Sequence, residues 1–372
     1  MTVNRLVALD MPASVEFADH VRKAWDAGDA VFPIDQRLPQ AAKDSLVEQF
    51  KPSVLIDRTG SVINLLGSEP TEEGDALVIA TSGSTGAPKG VVHTHDSIRA
   101  LLNMSQARLR TDSSTHWLLC LPVSHVAGFS VLARSLVFGN PISILPKFDE
   151  SEVLAAAKSG ATHISLVPTT LNRIDPAIFE SILLGGAAAP PNLPANVTTT
   201  YGMTETFGGI VYNGIPLDGI HVRVADEHIE LQSPSLFRTY RGSKAQLSAE
   251  GWYETGDNGS FTNNVLQVFG RSDDMIITGG ENVWPIAVER VVSTIPGVER
   301  VVVRGIDDAQ WGQRVVAWIV SSNPVAPSLE EVRQHVKQQL PSFCAPTEIR
   351  IVNDIPTTSL GKVDFQALKN LW

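Results

Sequence analysis

The chain has 372 residues, room for two domains, and its 43% apolar and 19% charged residues are the balance of a globular protein with a sizeable core. Its net charge of −11 excludes a nucleic-acid binder built on a basic stripe and a protein that docks on anionic membranes, so any anionic ligand must be met by a few local cations. The cysteines, Cys120 and Cys344, lack metal-ligand spacing, and no apolar run reaches the length of a membrane span. The N-terminal segment has no apolar core ahead of a cleavage site, so a reducing, cytoplasmic setting is expected.

In chain order, "SVLIDR", "ALVIATS", "WLLCLPV", "PISILP", "HISLVP" and "SILLGGA" are short runs rich in Val, Ile and Leu. Helical patterns such as "IRALLNMSQARL" and "SEVLAAAKSG" lie between several of them. That alternation predicts a large α/β domain with largely buried strands. From about residue 220 the texture changes: "HVRVAD" and "HIELQS" read as a hairpin in a small β unit. After "GRSDD" come a strand and turn "MIITGGENV", a helix "IAVERVVSTI", strands "RVVVRGI" and "RVVAWIV", a helix "LEEVRQHVKQQL" and a strand "EIRIVND". These form a small C-terminal α+β domain, with the boundary at 271–274.

The loop in "IATSGSTGAPKGVVHTH" is small, polar and closed by Lys89, directly after an apolar strand. Small residues let backbone N–H groups approach a phosphate, the hydroxyls of Ser82, Ser84 and Thr85 add donors, and Lys89 adds charge. The Walker G-K-[ST] ending is missing, and "VVHTH" reads as a strand, so no helix dipole can assist. A surface turn is the plain alternative; the hydroxyls and the lysine favour a phosphate loop.

"TSGSTGAPKG" resembles the phosphate-loop signature of the adenylate-forming superfamily, the acyl- and aryl-CoA synthetases and their relatives. The resemblance continues in order through "LPVSHVAG", "LLGGAAAP", "YGMTET", "YETGD", "GRSDDMIITGGENVWPIAVE" and "PTTSLGKVDFQAL". "YGMTETFGGIVYNGIPLDGIHVRV" together with "GKVD" is most similar to the o-succinylbenzoate–CoA ligases of menaquinone synthesis. There are two departures. The segment before the loop is short for the superfamily, and Phe365 stands in "GKVDF" where many relatives carry a basic residue.

The resemblance implies two steps: a carboxylate attacks the α-phosphate of ATP to give an acyl-adenylate, and the CoA thiol then displaces AMP. It implies ATP, Mg²⁺ and CoA, an adenylation domain over 1–271 with a trimmed N-terminal subdomain, and a mobile domain over 272–372 carrying a catalytic lysine, Lys362. Glu205 is the metal candidate and a catalytic residue with Lys89 and Lys362. Thr81, Ser82, Ser84, Thr85, Gly186, Tyr201, Gly202, Thr204, Asp257 and Arg271 are expected around the nucleotide, Tyr201 as an aromatic face for adenine. A carboxylate such as Asp257 suits the two hydroxyls of a ribose; a turn aspartate is the alternative. Asp273 is the expected hinge, and Gly279 and Gly280 line the thiol path. Trp311 is either a half-exposed packing residue or a platform for CoA.

His125 is either a packed histidine or, as the resemblance implies, a contact of the acid substrate. Arg134 is the one charge on the apolar helix "HVAGFSVLARSLVFG", a costly placement unless paired. It could snorkel, pair with a buried carboxylate, or bind the second carboxylate of the acid. The competing functions are another aryl- or acyl-CoA ligase, adenylation with transfer to a carrier-protein thiol, and a silent nucleotide-binding scaffold. A homodimer is an admissible assembly.

Overall fold

The computed structural model describes residues 4–81, 88–187, 189–190, 192–242, 247–356 and 363–371. The chain divides into two compact units, the first comprising Met1–Ala189, Pro194–Val222 and Leu231–Tyr253, the second Pro190–Leu193, Arg223–Glu230 and Glu254–Trp372.

The first unit holds two seven-stranded sheets. Edge to edge, the first runs Thr239–Tyr240, Lys89–Thr94, Asp75–Thr81, Ala30–Pro33, Leu6–Leu9, Val54–Ile56 and Val62–Asn64. Its central strands pair in parallel, Leu6 opposite Ala30 and Val31 opposite Leu77. Leu6–Leu9 and Ala30–Pro33 are buried at every position, which is why they read as continuous apolar runs and not as alternating ones. The helix Val15–Asp26 connects them; Ser14 caps it by accepting from the Phe17 N–H. The second sheet runs Ile215–Pro216, Gly208–Tyr212, Val197–Met203, Ser181–Leu184, His163–Leu166, Trp117–Leu119 and Ile142–Ile144. Its strands from Val197–Met203 to Ile142–Ile144 are parallel, and the helices Val126–Phe138 and Glu150–Lys158 connect successive ones. The α/β reading of this region is borne out, as is the strand after the glycine loop, Lys89–Thr94.

The second unit takes in most of a four-stranded sheet, His221–Ala225, His228–Gln232, Tyr253–Thr262 and Val265–Arg271. The expected hairpin is there, turning at Asp226 and Glu227 with φ of 49° and 67°. Five further strands form a sheet with Gly312–Ser321 at its centre, flanked by Val298–Asp308 antiparallel and Glu348–Ile351 parallel. The helices Pro285–Val292 and Leu329–Lys337 bury Val288, Val291, Val292, Val332 and Val336 in its core. Ser328 and Glu331 cap the second helix reciprocally. Another cluster gathers Val302, Val316, Trp318, Ile355 and Leu368, with Phe365 packed against it and the Arg304 guanidinium 3.8 Å from the Phe365 ring centre. Phe365 is thus the first residue of a packed helix, Phe365–Lys369, a role that an apolar ring fills and a basic residue would not.

The contact division falls at Tyr253/Glu254, upstream of the 271–274 boundary read from motifs. No described helix is long and apolar enough to cross a membrane.

Candidate active site

In the first unit, Thr81 and Lys89 face each other across two antiparallel strands, and the Thr81 hydroxyl donates to the Lys89 carbonyl at 3.4 Å. They bracket the glycine loop; Ser82, Ser84 and Thr85 lie outside the described residues, as does Lys362.

Glu205 sits in a single helical turn, Thr204–Thr206, between the strands Val197–Met203 and Gly208–Tyr212. The two strands approach so closely that a Cβ at Gly202 would lie 1.9 Å from the Gly208 carbonyl oxygen, so only glycine fits. The turn closes through Phe207 at φ 59°, a left-handed conformation that costs a β-carbon-bearing residue about 1 kcal/mol. Burial holds it there: Phe207 is fully enclosed, with its ring edge-on to His93 at 5.3 Å. Tyr201 lies half-buried on the strand leading into the turn, opposite Val211. Gly186, at φ 82°, follows the carboxyl end of Ser181–Leu184, the edge at which open α/β sheets bind ligands.

Three contacts fix the Glu205 turn. The Phe237 N–H donates to the Glu205 carbonyl at 2.8 Å. The Tyr240 hydroxyl donates to Glu205 Oε1 at 2.9 Å. His93 Nε2 lies 2.7 Å from the Thr204 carbonyl, which can only accept, so that nitrogen carries the proton. Lys89 Nζ lies 5.2 Å from the centre of the Tyr240 ring. Glu205 Oε2 has no hydrogen-bond donor among the described residues. A magnesium ion commonly takes one or two protein carboxylates and completes its shell with phosphate oxygens and water. Glu205 fits that demand, a single carboxylate with one oxygen held by the Tyr240 hydroxyl.

His93 is wholly buried, and burial pushes its pKa down to about 4 despite the Thr204 carbonyl. The unfolded chain, titrating near 6.5, therefore binds the proton first as pH falls. Stability from this residue is complete above pH 6.5 and is lost as pH drops toward 4, by up to about 3 kcal/mol. His93→Leu lacks both the titration and the hydrogen bond, so urea unfolding should find wild type more stable at pH 7 and the gap narrower at pH 4.5. A gap that widens toward acid would contradict this.

His125 occupies the N-cap position of the helix Val126–Phe138. Its Nε2 lies 2.9 Å from Arg37 Nη2. The same Nε2 lies 3.5 Å from Asp35 Oδ2, so His125 stands against both members of the Arg37–Asp35 pair. Arg37 also grips Asp35 through Nε at 2.9 Å and Nη2 at 2.6 Å. Burial pushes the Asp35 carboxyl up, but the hydrogen bonds and charge of Arg37 outweigh that and hold it well below the usual carboxylate range.

Arg134, on the same helix, is only 3% exposed, which rules out snorkelling. Its Nη2 donates to the Ser105 hydroxyl at 2.8 Å, and Ser105 lies 2.7 Å from the Tyr212 hydroxyl. Its Cζ stands 4.4 Å from the centre of the Trp117 ring, and its Nε has no partner. Among the described residues no carboxylate pairs with it, so the structural ion pair is also ruled out. Burial pulls its pKa down, opposed by Tyr212.

In the second unit, Asp257 and Arg271 lie opposite each other on neighbouring strands, with Arg271 Nη1 3.4 Å from Asp257 Oδ1. Asp257 is buried and Arg271 reaches outward, so the pair presents one carboxylate and one guanidinium together. Asp273 is exposed in the short turn Ser272–Asp274. Gly279 and Gly280 form a two-residue hairpin turn with φ of 58° and 85°. Trp311 is half-exposed and covers Gly279: a Cβ there would lie 2.9 Å from its indole ring.

The profile of the AMP-binding enzyme family matches residues 60–233, and that of the AMP-binding enzyme C-terminal domain matches 287–362. A probable 2-succinylbenzoate–CoA ligase of Mycobacterium tuberculosis is 39% identical over 337 residues, covering 82% of this chain and 88% of that one. The chain belongs to the AMP-binding enzyme family. With this adenylate-forming family come its large and small domains and an AMP-forming acid–CoA ligase chemistry using ATP, Mg²⁺ and CoA. A 2-succinylbenzoate–CoA ligase of Enterococcus faecalis is 30% identical, covering 78% of this chain and 68% of that one. Among solved structures of the AMP-binding enzyme fold, the o-succinylbenzoate CoA synthetase MenE of Bacillus subtilis in complex with the acyl-adenylate intermediate OSB-AMP superposes with a TM-score of 0.84 at 26% identity, covering 98% of this chain and 88% of that one.

Sequence reading missed Tyr240, His93 and the residues around Arg134. His93 carried a signal: in "GVVHTH" it shares the inward face of the strand with Val91. Tyr240 carried none, since the two groups it joins, Lys89 and Glu205, lie far from it in the chain.

Proposed function

We propose that the chain joins o-succinylbenzoate to CoA through an acyl-adenylate, releasing diphosphate and then AMP. The observation that carries this choice of acid is the buried guanidinium of Arg134, held by a serine, a tyrosine and a tryptophan but by no acid. A buried charge without a counter-ion is expensive, and a substrate with a second carboxylate would supply one. The relatives named for 2-succinylbenzoate support the same reading.

In this account Lys89, with the hydroxyls of Ser82, Ser84 and Thr85, holds the phosphates of ATP. Thr81, Gly186, Tyr201, Gly202 and Thr204 surround its nucleoside and α-phosphate, and Asp257 accepts from the ribose hydroxyls beside Arg271. Glu205 would hold Mg²⁺, which offsets the triphosphate charge. The acid's reacting carboxylate attacks as an anion and needs no general base, so His125 serves as a substrate contact and not as a general base. Catalysis then rests on position and electrostatics. Residues 272–372 move about Asp273 to present either Lys362 for adenylation or Gly279 and Gly280, with Trp311, for the thiol. We place the enzyme in the cytoplasm.

The test is incubation with ATP, CoA and o-succinylbenzoate, followed by mass spectrometry. The expected products are the acid–CoA thioester and AMP. Acyl-adenylate without thioester would point to a carrier-protein thiol, and neither product would leave a silent scaffold.

A further inference from the structure

Tyr240 lies on the two-residue edge strand Thr239–Tyr240, which pairs with Lys89–Thr94 so that Tyr240 faces Val91. The chain leading to it grips Glu205 twice, through the Phe237 N–H to the Glu205 carbonyl and through the Tyr240 hydroxyl to Oε1. The ring is wedged rather than free: its centre is 4.6 Å from that of Phe237, and its hydroxyl is 3.3 Å from that of Tyr253. The Lys89 ammonium stands 5.2 Å from its centre. One side chain thus meets both groups, the Lys89 ammonium at its ring and Glu205 at its hydroxyl, in place of a direct Lys89–Glu205 salt bridge, and among the described residues Lys89 makes no ion pair. Such a salt bridge would neutralise both groups before a nucleotide arrived. A tyrosine prevents it with one uncharged side chain: the hydroxyl binds the anion, and the π face receives the cation.

We propose that Tyr240 is a positioning residue that fixes the Glu205 carboxylate with one oxygen turned to the phenol and the other left for a cation, and that keeps Lys89 off Glu205 and available for phosphate. This rests on the reading of Glu205 as the magnesium residue and Lys89 as the phosphate residue.

Two substitutions separate the two halves of the role. Tyr240→Phe deletes only the hydroxyl, and Tyr240→Leu also deletes the face beneath Lys89. Acid-dependent pyrophosphate exchange, titrated with Mg²⁺ and separately with ATP, is the kinetic readout. Calorimetric binding of magnesium with a non-hydrolysable ATP analogue is the second, and it does not depend on turnover. Tyr240→Phe should raise the half-saturating Mg²⁺ concentration about tenfold, the loss of one hydrogen bond to a charged group, with KM for the acid unchanged. Tyr240→Leu should raise KM for ATP as well, and phenylalanine should restore that part. Glu205→Gln serves as the reference. If it raises the Mg²⁺ requirement and Tyr240→Phe does not, the inference is overturned while the Glu205 reading stands. If Glu205→Gln leaves the requirement unchanged, the Glu205 reading fails and takes the inference with it. A role in packing alone would lower the thermal midpoint of Tyr240→Phe and leave its Mg²⁺ titration and calorimetric affinity at wild-type values, which also overturns the inference.

Discussion

Arg134→Leu is expected to raise KM for o-succinylbenzoate by at least about 30-fold and leave KM for ATP nearly unchanged. The magnitude is that of removing one partner of a buried charge pair, about 2–5 kcal/mol. The guanidinium is positioned for such a pair: Ser105 takes one nitrogen, Trp117 covers the plane, and Nε remains unpartnered. Its planar fork can take a carboxylate through two parallel hydrogen bonds. Leucine replaces a desolvated charge with an apolar side chain among Trp117 and its neighbours, so the variant should fold, and its thermal midpoint should not fall. A folded variant with wild-type KM for the acid would remove Arg134 from the substrate site.

Lys362→Ala is expected to abolish adenylation and still convert supplied acyl-adenylate and CoA to thioester. The argument is one of charge: the α-phosphate gains negative charge as the carboxylate attacks, and a second cation beside Lys89 stabilises it, whereas the thiol step releases AMP and has no such need. Asp273→Pro tests the accompanying motion, because an exposed turn residue that must change φ and ψ is locked by the proline ring. Half-reactions measured separately, by pyrophosphate exchange and by thioester formation, should diverge in both variants. Equal loss of both steps would contradict a division of labour between two orientations.

Much of this was legible in the sequence, for physical reasons that differ from residue to residue. The buried parallel strands Trp117–Leu119 and His163–Leu166 announced themselves as apolar runs because both faces are covered, whereas the equally buried Leu6–Leu9 and Ala30–Pro33 were not read as strands. Arg134 was conspicuous as a charge on an apolar helix, and that oddity is what the structure preserves. Its partners were not legible: Ser105 precedes it by 29 positions and Tyr212 lies 107 beyond Ser105, distances over which no local period carries information. The Arg37 contact of His125 was hidden for the same reason, with 88 positions between them.

The most direct test compares o-succinylbenzoate with the same acid carrying a methyl ester on the carboxylate that is not activated, in pyrophosphate exchange by wild type and by Arg134→Leu. Wild type should prefer the diacid in kcat/KM by at least about 30-fold, and the variant should treat the two acids nearly alike. An undiminished preference in the folded variant, or no preference in wild type, would contradict a buried arginine kept for the substrate's second carboxylate.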